Sequence, residues 1–380
     1  MHKHIKPLYA PALRLKAGEI DGLRQLAIDV ADRVQPRLII PPSKERDETV
    51  GLFSDIARTP HISDALADAW RRRVALLDAT YIMDEFGRES AADWLPAMFK
   101  SARSREIKAI PCASIGDLQS CTDAFRASIS LETPAKIAIV IPDYDLIDPE
   151  LPAKLSEISA SLNVSSSECI VIADFAESEF EDPEIVAPII SGALETLQSI
   201  GLWHQIIFQA SHYPSTNPAP KEGGCIVWPR NEWKAWQLAV KFDPSTADHM
   251  IFGDYAADCS RIEFKDSSGR AIRHIRYATS TGWRVQRAPK EGTNNARMNE
   301  VYQALSQSKD FAGVGFSAAD DYIKLAADDA SSPHGNAKTW RQLNTTHHLT
   351  QVVSDIARVR GVKIEQRRVK MSKQMMLFPL

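Results

Sequence analysis

The sequence predicts an α/β protein: a (β/α)8, TIM-barrel-like fold with a β-hairpin insertion after strand 8 and a C-terminal helical extension. Three observations carry this. Short apolar runs such as Ile137-Ala-Ile-Val-Ile141 and Cys169-Ile-Val-Ile-Ala173 are continuous, not alternating. Such a run needs cover on both faces, as in a parallel sheet wrapped by helices. The gaps between runs carry helical periodicity, and a repeat of ~35 residues is what a strand–helix unit with short loops requires. Eight such units fill residues 8–255, close to the ~250 residues of a closed barrel. An open doubly wound sheet is the alternative, but neither GxGxxG nor a Walker loop follows the first strand.

Taken in order, the first strand lies in 8–16, and a helix with Leu23, Leu26, Ala27 and Val30 on one face runs to about Val34. A short strand at 37–42 ends in a polar turn at Ser43-Lys44-Glu45-Arg46. Strands follow at 74–78, 107–114, 136–145, 169–174, 205–211 and 250–255, with helices near 64–72, 91–103, 116–130, 149–162, 183–200 and 231–240. Pro149 and Pro183 suit first helical turns. A loop rich in Pro and Gly covers 213–224. Beyond Tyr255 the pattern changes. Residues 261–265 and 272–278, with a turn at Asp266-Ser-Ser-Gly269, predict a hairpin to which 282–287 adds a third strand. Residues 295–308 read as the eighth barrel helix, delayed by that insertion. Residues 311–330 read as acidic and irregular, and 343–359 as a helix. The barrel with its insertion at about 258–290 is thus expected over 1–310. The extension covers 311–380 and carries a basic tail at 360–380.

Composition narrows the function classes. A net charge of −4 argues against wholesale coating of nucleic acid or membrane, though it permits a local basic patch. The five cysteines are scattered without CxxC spacing, which reads as reduced thiols rather than disulfides or zinc. The start has no apolar h-region and no stretch approaches a membrane span, so a cytoplasmic protein is expected.

In a barrel, function belongs at the carboxyl ends of the strands. Reading off those ends gives Asp78, Asp143, Asp174, His212 and Asp254 as candidate catalytic groups, with Lys16, Glu19, Lys44 and Tyr255 as candidate ligand contacts. Carboxylates with one histidine suit metal binding or general acid–base work, and a divalent metal is the cofactor they could hold. The competing reading is that polar residues gather wherever strands meet water. No GxSxG elbow and no HExxH is present, so serine hydrolase and zinc-protease chemistry are set aside. His347-His348 stands out downstream of Asp320-Asp321, and with Arg341 nearby these two histidines are further candidate ligand contacts. Neighbouring helical residues diverge by ~100°, so the two imidazoles would not share one metal, and structural anchoring is the simpler reading. Arg360, Lys363, Arg367, Arg368 and Lys370 make the tail basic enough to hold phosphates, or simply a solvated end.

Several stretches together resemble the phage Beta protein family: Tyr9-Ala-Pro-Ala-Leu-Arg-Leu-Lys-Ala-Gly-Glu19 with Ile39-Ile-Pro-Pro, Phe252-Gly-Asp-Tyr255, Ile275-Arg-Tyr277 with Trp283 and Arg287, and Phe316 to Asp321 with Gly335, Trp340-Arg341 and His347-His348-Leu-Thr350. Two departures are Pro42-Ser43-Lys44 before Glu45, where the family has an earlier acid, and Arg287-Ala288 in place of Arg-Gly. The resemblance implies a component of phage exclusion or defence loci, carried on phages, prophages and other mobile elements. It implies a setting and no reaction.

Three functions follow. The first is a barrel scaffold of a defence module that binds a partner protein from the same locus, or a ligand, at the strand ends. The second is a metal-dependent hydrolase acting on a phosphoester or nucleotide. The third is a nucleic-acid binder using the basic tail.

Overall fold

The structure, a computed structural model, describes residues 5–42, 64–256, 258–260, 271–332 and 334–365. Eight strands run parallel in one sheet: β1 (Ala12–Arg14), β2 (Arg37–Ile39), β3 (Val74–Asp78), β4 (Lys108–Ser114), β5 (Ile137–Pro142), β6 (Cys169–Asp174), β7 (Gln205–Ala210) and, after an interposed strand β8 (Gly224–Pro229), β9 (Met250–Asp254). The sheet curls until its ends meet. Tyr9 bridges Phe252, and the Ala10 N–H donates to the Phe252 carbonyl at 3.0 Å. Gly253 makes that seam possible: a Cβ there would lie 2.5 Å from the Ala10 carbonyl oxygen.

The continuous apolar runs are explained by two cores. In β5, Ile137, Ile139 and Ile141 face the surrounding helices, while Ala138 and Val140 fill the barrel interior. In β6 the same division sets Cys169, Val171 and Ala173 outside and Ile170 and Ile172 inside. Every second residue is therefore apolar for a different reason, and no face is left for water.

The insertion differs from expectation in its pairing. β10 (His274–Ala278) and β11 (Gly282–Arg287) form an antiparallel hairpin, and β8 pairs along the other side of β11. β8 lies at the end of what reads as a Pro- and Gly-rich loop, and its short Cys-Ile-Val-Trp run is masked by that context. The expected arm at 261–265 lies outside the described residues.

The helices after the insertion also differ. Asn294–Ser306, expected as the eighth barrel helix, packs instead with Ala318–Asp328 in a separate apolar cluster containing Met298, Tyr302 and Ile323. Ala318–Asp328 is a helix where irregular chain is expected; Ser317 caps it by accepting from the Asp320 N–H. The helix that covers the barrel seam is Ala337–Val359, which starts earlier than predicted at an Asn336 cap. Its Leu349, Val352, Val353 and Ile356 join the barrel core, while Trp340 and Leu343 join the second cluster. This closing helix therefore joins the two bodies of apolar side chains.

Candidate functional site at the barrel mouth

Asp78 ends β3 and Asp174 ends β6, and both turn into the barrel mouth. Between them stands Arg37, from the second strand. Its Nε donates to Asp78 Oδ2 at 2.9 Å, and its Nη1 donates to Asp174 Oδ2 and to Gln209 Oε1, each at 2.8 Å. Tyr255 donates its hydroxyl to Asp174 at 2.8 Å. Backbone N–H groups of Thr80 and Ala176 take the remaining carboxylate oxygens. Burial opposes the guanidinium charge, but Asp78, Cys112 and Asp174 more than restore it, and Arg37 titrates well above its ordinary range. Burial and Asp174 likewise raise the Tyr255 phenol far up, so it stays a donor.

Above this floor opens a cavity of about 520 Å³, walled by Tyr81, Glu177, Glu179, Ser211 and Tyr213 among others. Of the sequence-predicted residues, Asp78, Asp174 and Tyr255 meet here. Asp143 lies beside them, hydrogen-bonded to Ser178. His212 stacks on Trp228 with ring centroids 5.6 Å apart, and burial lowers its pKa. Lys44 lies outside the described residues.

Lys16, Glu19 and Arg341 converge on a neighbouring cleft of about 490 Å³ between the helix Ala17–Arg24 and the start of the closing helix. Arg341 bonds Glu19 at 3.1 Å and Asp258 at 2.6 Å.

Asp254, His347 and His348 do not join either opening. Asp254 points outward from β9, where Tyr9 donates to it and His348 Nε2 lies 2.9 Å away. His348 stacks on Trp283 at 4.5 Å between ring centroids, and burial lowers its pKa against the pull of Asp254. His347 turns the other way, to Asp320 at 3.1 Å and the Ala278 carbonyl at 2.8 Å, under the Tyr277 ring. Burial alone would raise Asp320, but His347 and the hydroxyls of Ser317 and Tyr277 hold it below the ordinary carboxylate range. Both imidazoles anchor the closing helix. In the tail, Arg360 pairs with Asp248 at 3.3 Å and Lys363 is exposed, while Arg367, Arg368 and Lys370 lie outside the described residues.

Among the described residues, no group of three or more His, Cys, Asp or Glu is arranged to hold a metal ion. At the mouth the position between Asp78 and Asp174 is taken by the Arg37 guanidinium. Also among the described residues, no helix is long and apolar enough to cross a membrane. Sequence reasoning missed Arg37 and Gln209, which are polar residues facing inward from apolar strands. Their signal was present in the register: each falls on the same alternation as the interior residues beside it.

The fold and this polar mouth define an α/β-barrel protein with a polar cavity at the carboxyl ends of its strands. The model of the family described as Beta protein matches residues 9–354, and the chain belongs to that family. No curated protein matches it.

Proposed function

We propose that the protein is the barrel scaffold of a phage-exclusion or defence module, and that it captures a partner protein at the barrel mouth. The observation that carries this reading is the pairing of one buried arginine with both floor carboxylates. Asp78 and Asp174 are both paired to and held in place by Arg37, so neither can ligate a metal without displacing the guanidinium. Such a floor is rigid and suits recognition. Around it, Glu177 and Glu179 stand exposed on the wall beside the Tyr81 and Tyr213 hydroxyls. A basic segment of a partner fits that chemistry, with charge steering the encounter.

Co-purification with the product of the neighbouring gene tests this. The wild-type chain is expected to retain that product, and Glu177→Lys with Glu179→Lys is expected to release it while leaving the melting temperature unchanged. Retention by the double variant would remove the mouth from the interface. Failure of the wild type to retain the product would end the partner reading.

A further inference from the structure

The small antiparallel sheet has two edges, and the protein treats them differently. β10 lies on one edge and β8 on the other, with β11 between them. The direction of each backbone group follows from the hairpin. Thr279 N–H donates to the Gly282 carbonyl and Ala288 N–H to the Arg273 carbonyl, so the even-numbered residues of β11 bond β10. The odd-numbered ones face β8, just as Thr281 accepts from the Arg230 N–H. The register sets Trp283 against Trp228 and Val285 against Ile226, so the even-numbered residues of β8 take those bonds. The N–H and C=O groups of Cys225 and Val227 therefore point away from the sheet.

On the β10 edge the outward amide is covered: Arg276 N–H donates to Asn344 Oδ1 of the closing helix at 3.0 Å. The β8 edge is bare. Among the described residues no strand pairs with it, and no group hydrogen-bonds the Cys225 or Val227 amide. Both side chains are exposed, Val227 at 57%. The strand Gly224-Cys-Ile-Val-Trp-Pro229 carries no charge, pairs without a bulge and has its proline only at the end. It thus lacks the devices that keep an edge strand from pairing with another chain.

We infer that this edge is a dimerisation surface, and that its occupant is β8 of a second copy of this chain, paired antiparallel about Ile226. The edge is complementary to itself in charge. About that centre, Cys225 of each copy stands opposite Val227 of the other, so each outward N–H, the positive end of its dipole, meets an outward C=O. The side chains match as well. Val227 covers Cys225 of the other copy, Ile226 meets Ile226, and Trp228 falls opposite Gly224. Around Gly224 only the Pro220 Cγ lies within 4.0 Å of where a Cβ would be, which leaves room for the indole. Pro229 lies past the last bond and ends the ladder. The surface uses neither Glu177 nor Glu179, so it stands apart from the partner reading.

Sedimentation velocity of the full chain over a concentration series, in reducing buffer, tests it. A monomer–dimer equilibrium is expected, half dimeric at concentrations on the order of 10 µM, because one strand pair makes a small interface. Val227→Pro removes an outward N–H and leaves the bonds to β11 in place, so it should stay folded and weaken the dimer by about tenfold or more. Val227→Lys puts a charge on the edge and should act in the same direction. Circular dichroism melts confirm folding, and the lysine variant stands in if the proline variant does not fold. Cys225→Ser should leave the dimer unchanged, and loss of the dimer in that variant would overturn pairing through the backbone. A chain that stays monomeric up to about 200 µM would overturn the surface. So would a dimer of unchanged strength in a folded Val227 variant.

Discussion

Arg37 concentrates the energetics of the mouth in a single side chain. Removing it leaves Asp78 and Asp174 buried together without a counter-charge, the most expensive way to break an ion pair. Arg37→Met should therefore destabilise the protein by about 3–5 kcal/mol in urea unfolding. Adding Asp78→Asn should recover part of that loss, because one of the stranded charges is then gone. A second residue sets a pH dependence. Burial lifts the Glu232 carboxyl from 4.5 to about 7, with Arg230 holding the rise back. The native state then keeps a proton that the unfolded chain has released, so this contribution is full below pH 4.5 and fades as the pH rises through about 7. The shift corresponds to something on the order of 3 kcal/mol. His348 works in the opposite sense: kept neutral by burial, it favours the native state above pH 6.5 and weakens it as the pH falls below. Glu232→Gln should consequently reverse the slope, giving stability that rises with pH through ~6.5, read from melting temperatures across that range. The strand-end aspartates were legible in the sequence as residues. Their partners were not, because a guanidinium from one strand reaching carboxylates on two others is a matter of barrel curvature, not of spacing along the chain.

At the scale of elements, the eight parallel strands were readable because each is a continuous apolar run, and the sheet they form has both faces covered. The closing helix was only half readable. Its middle, Asn344-Thr-Thr-His-His348, has no apolar stripe, yet those five residues are all buried. They are tolerated there because they find partners: Asn344 accepts from the Arg276 N–H, Thr346 donates to the Gly22 carbonyl, and the histidines meet Asp320 and Asp254. Residues 343–359 read as a helix, but hydrophobic periodicity cannot seat on the barrel a helix buried through hydrogen bonds, and so 295–308 is favoured for that place. The contact is close as well as polar. A Cβ on Gly22 would lie 2.7 Å from the Thr345 Cβ, so Gly22→Val should separate the two helices and cost about 1–3 kcal/mol in denaturant unfolding. Gly22→Val with Thr345→Ala should recover part of that cost if the close approach is the cause.

For the whole molecule, the consequence lies in where the seam's cover is encoded. Tyr9 and His348 touch at 3.0 Å although 339 positions separate them. While the chain is being synthesised, the first and last barrel strands emerge long before the helix that covers their junction. A nascent chain that has reached β11 therefore presents the outward faces of Tyr9, Phe252 and Trp283 to water, along with the carboxylate of Asp254. All four are buried once the closing helix arrives. Contacts of such sequence separation form late and slowly. A chain stopped before Ala337 should stay protease-sensitive along its full length in a pulse-digestion assay, while the complete chain acquires resistance in one step after release. If the stopped chain instead gave a resistant core reaching to residue 254, the barrel would be shown to close without its last helix. The expected outcome instead gives two ages of molecule: an unsealed one that still lacks the helix Ala337–Val359, and a sealed one in which that helix covers the seam.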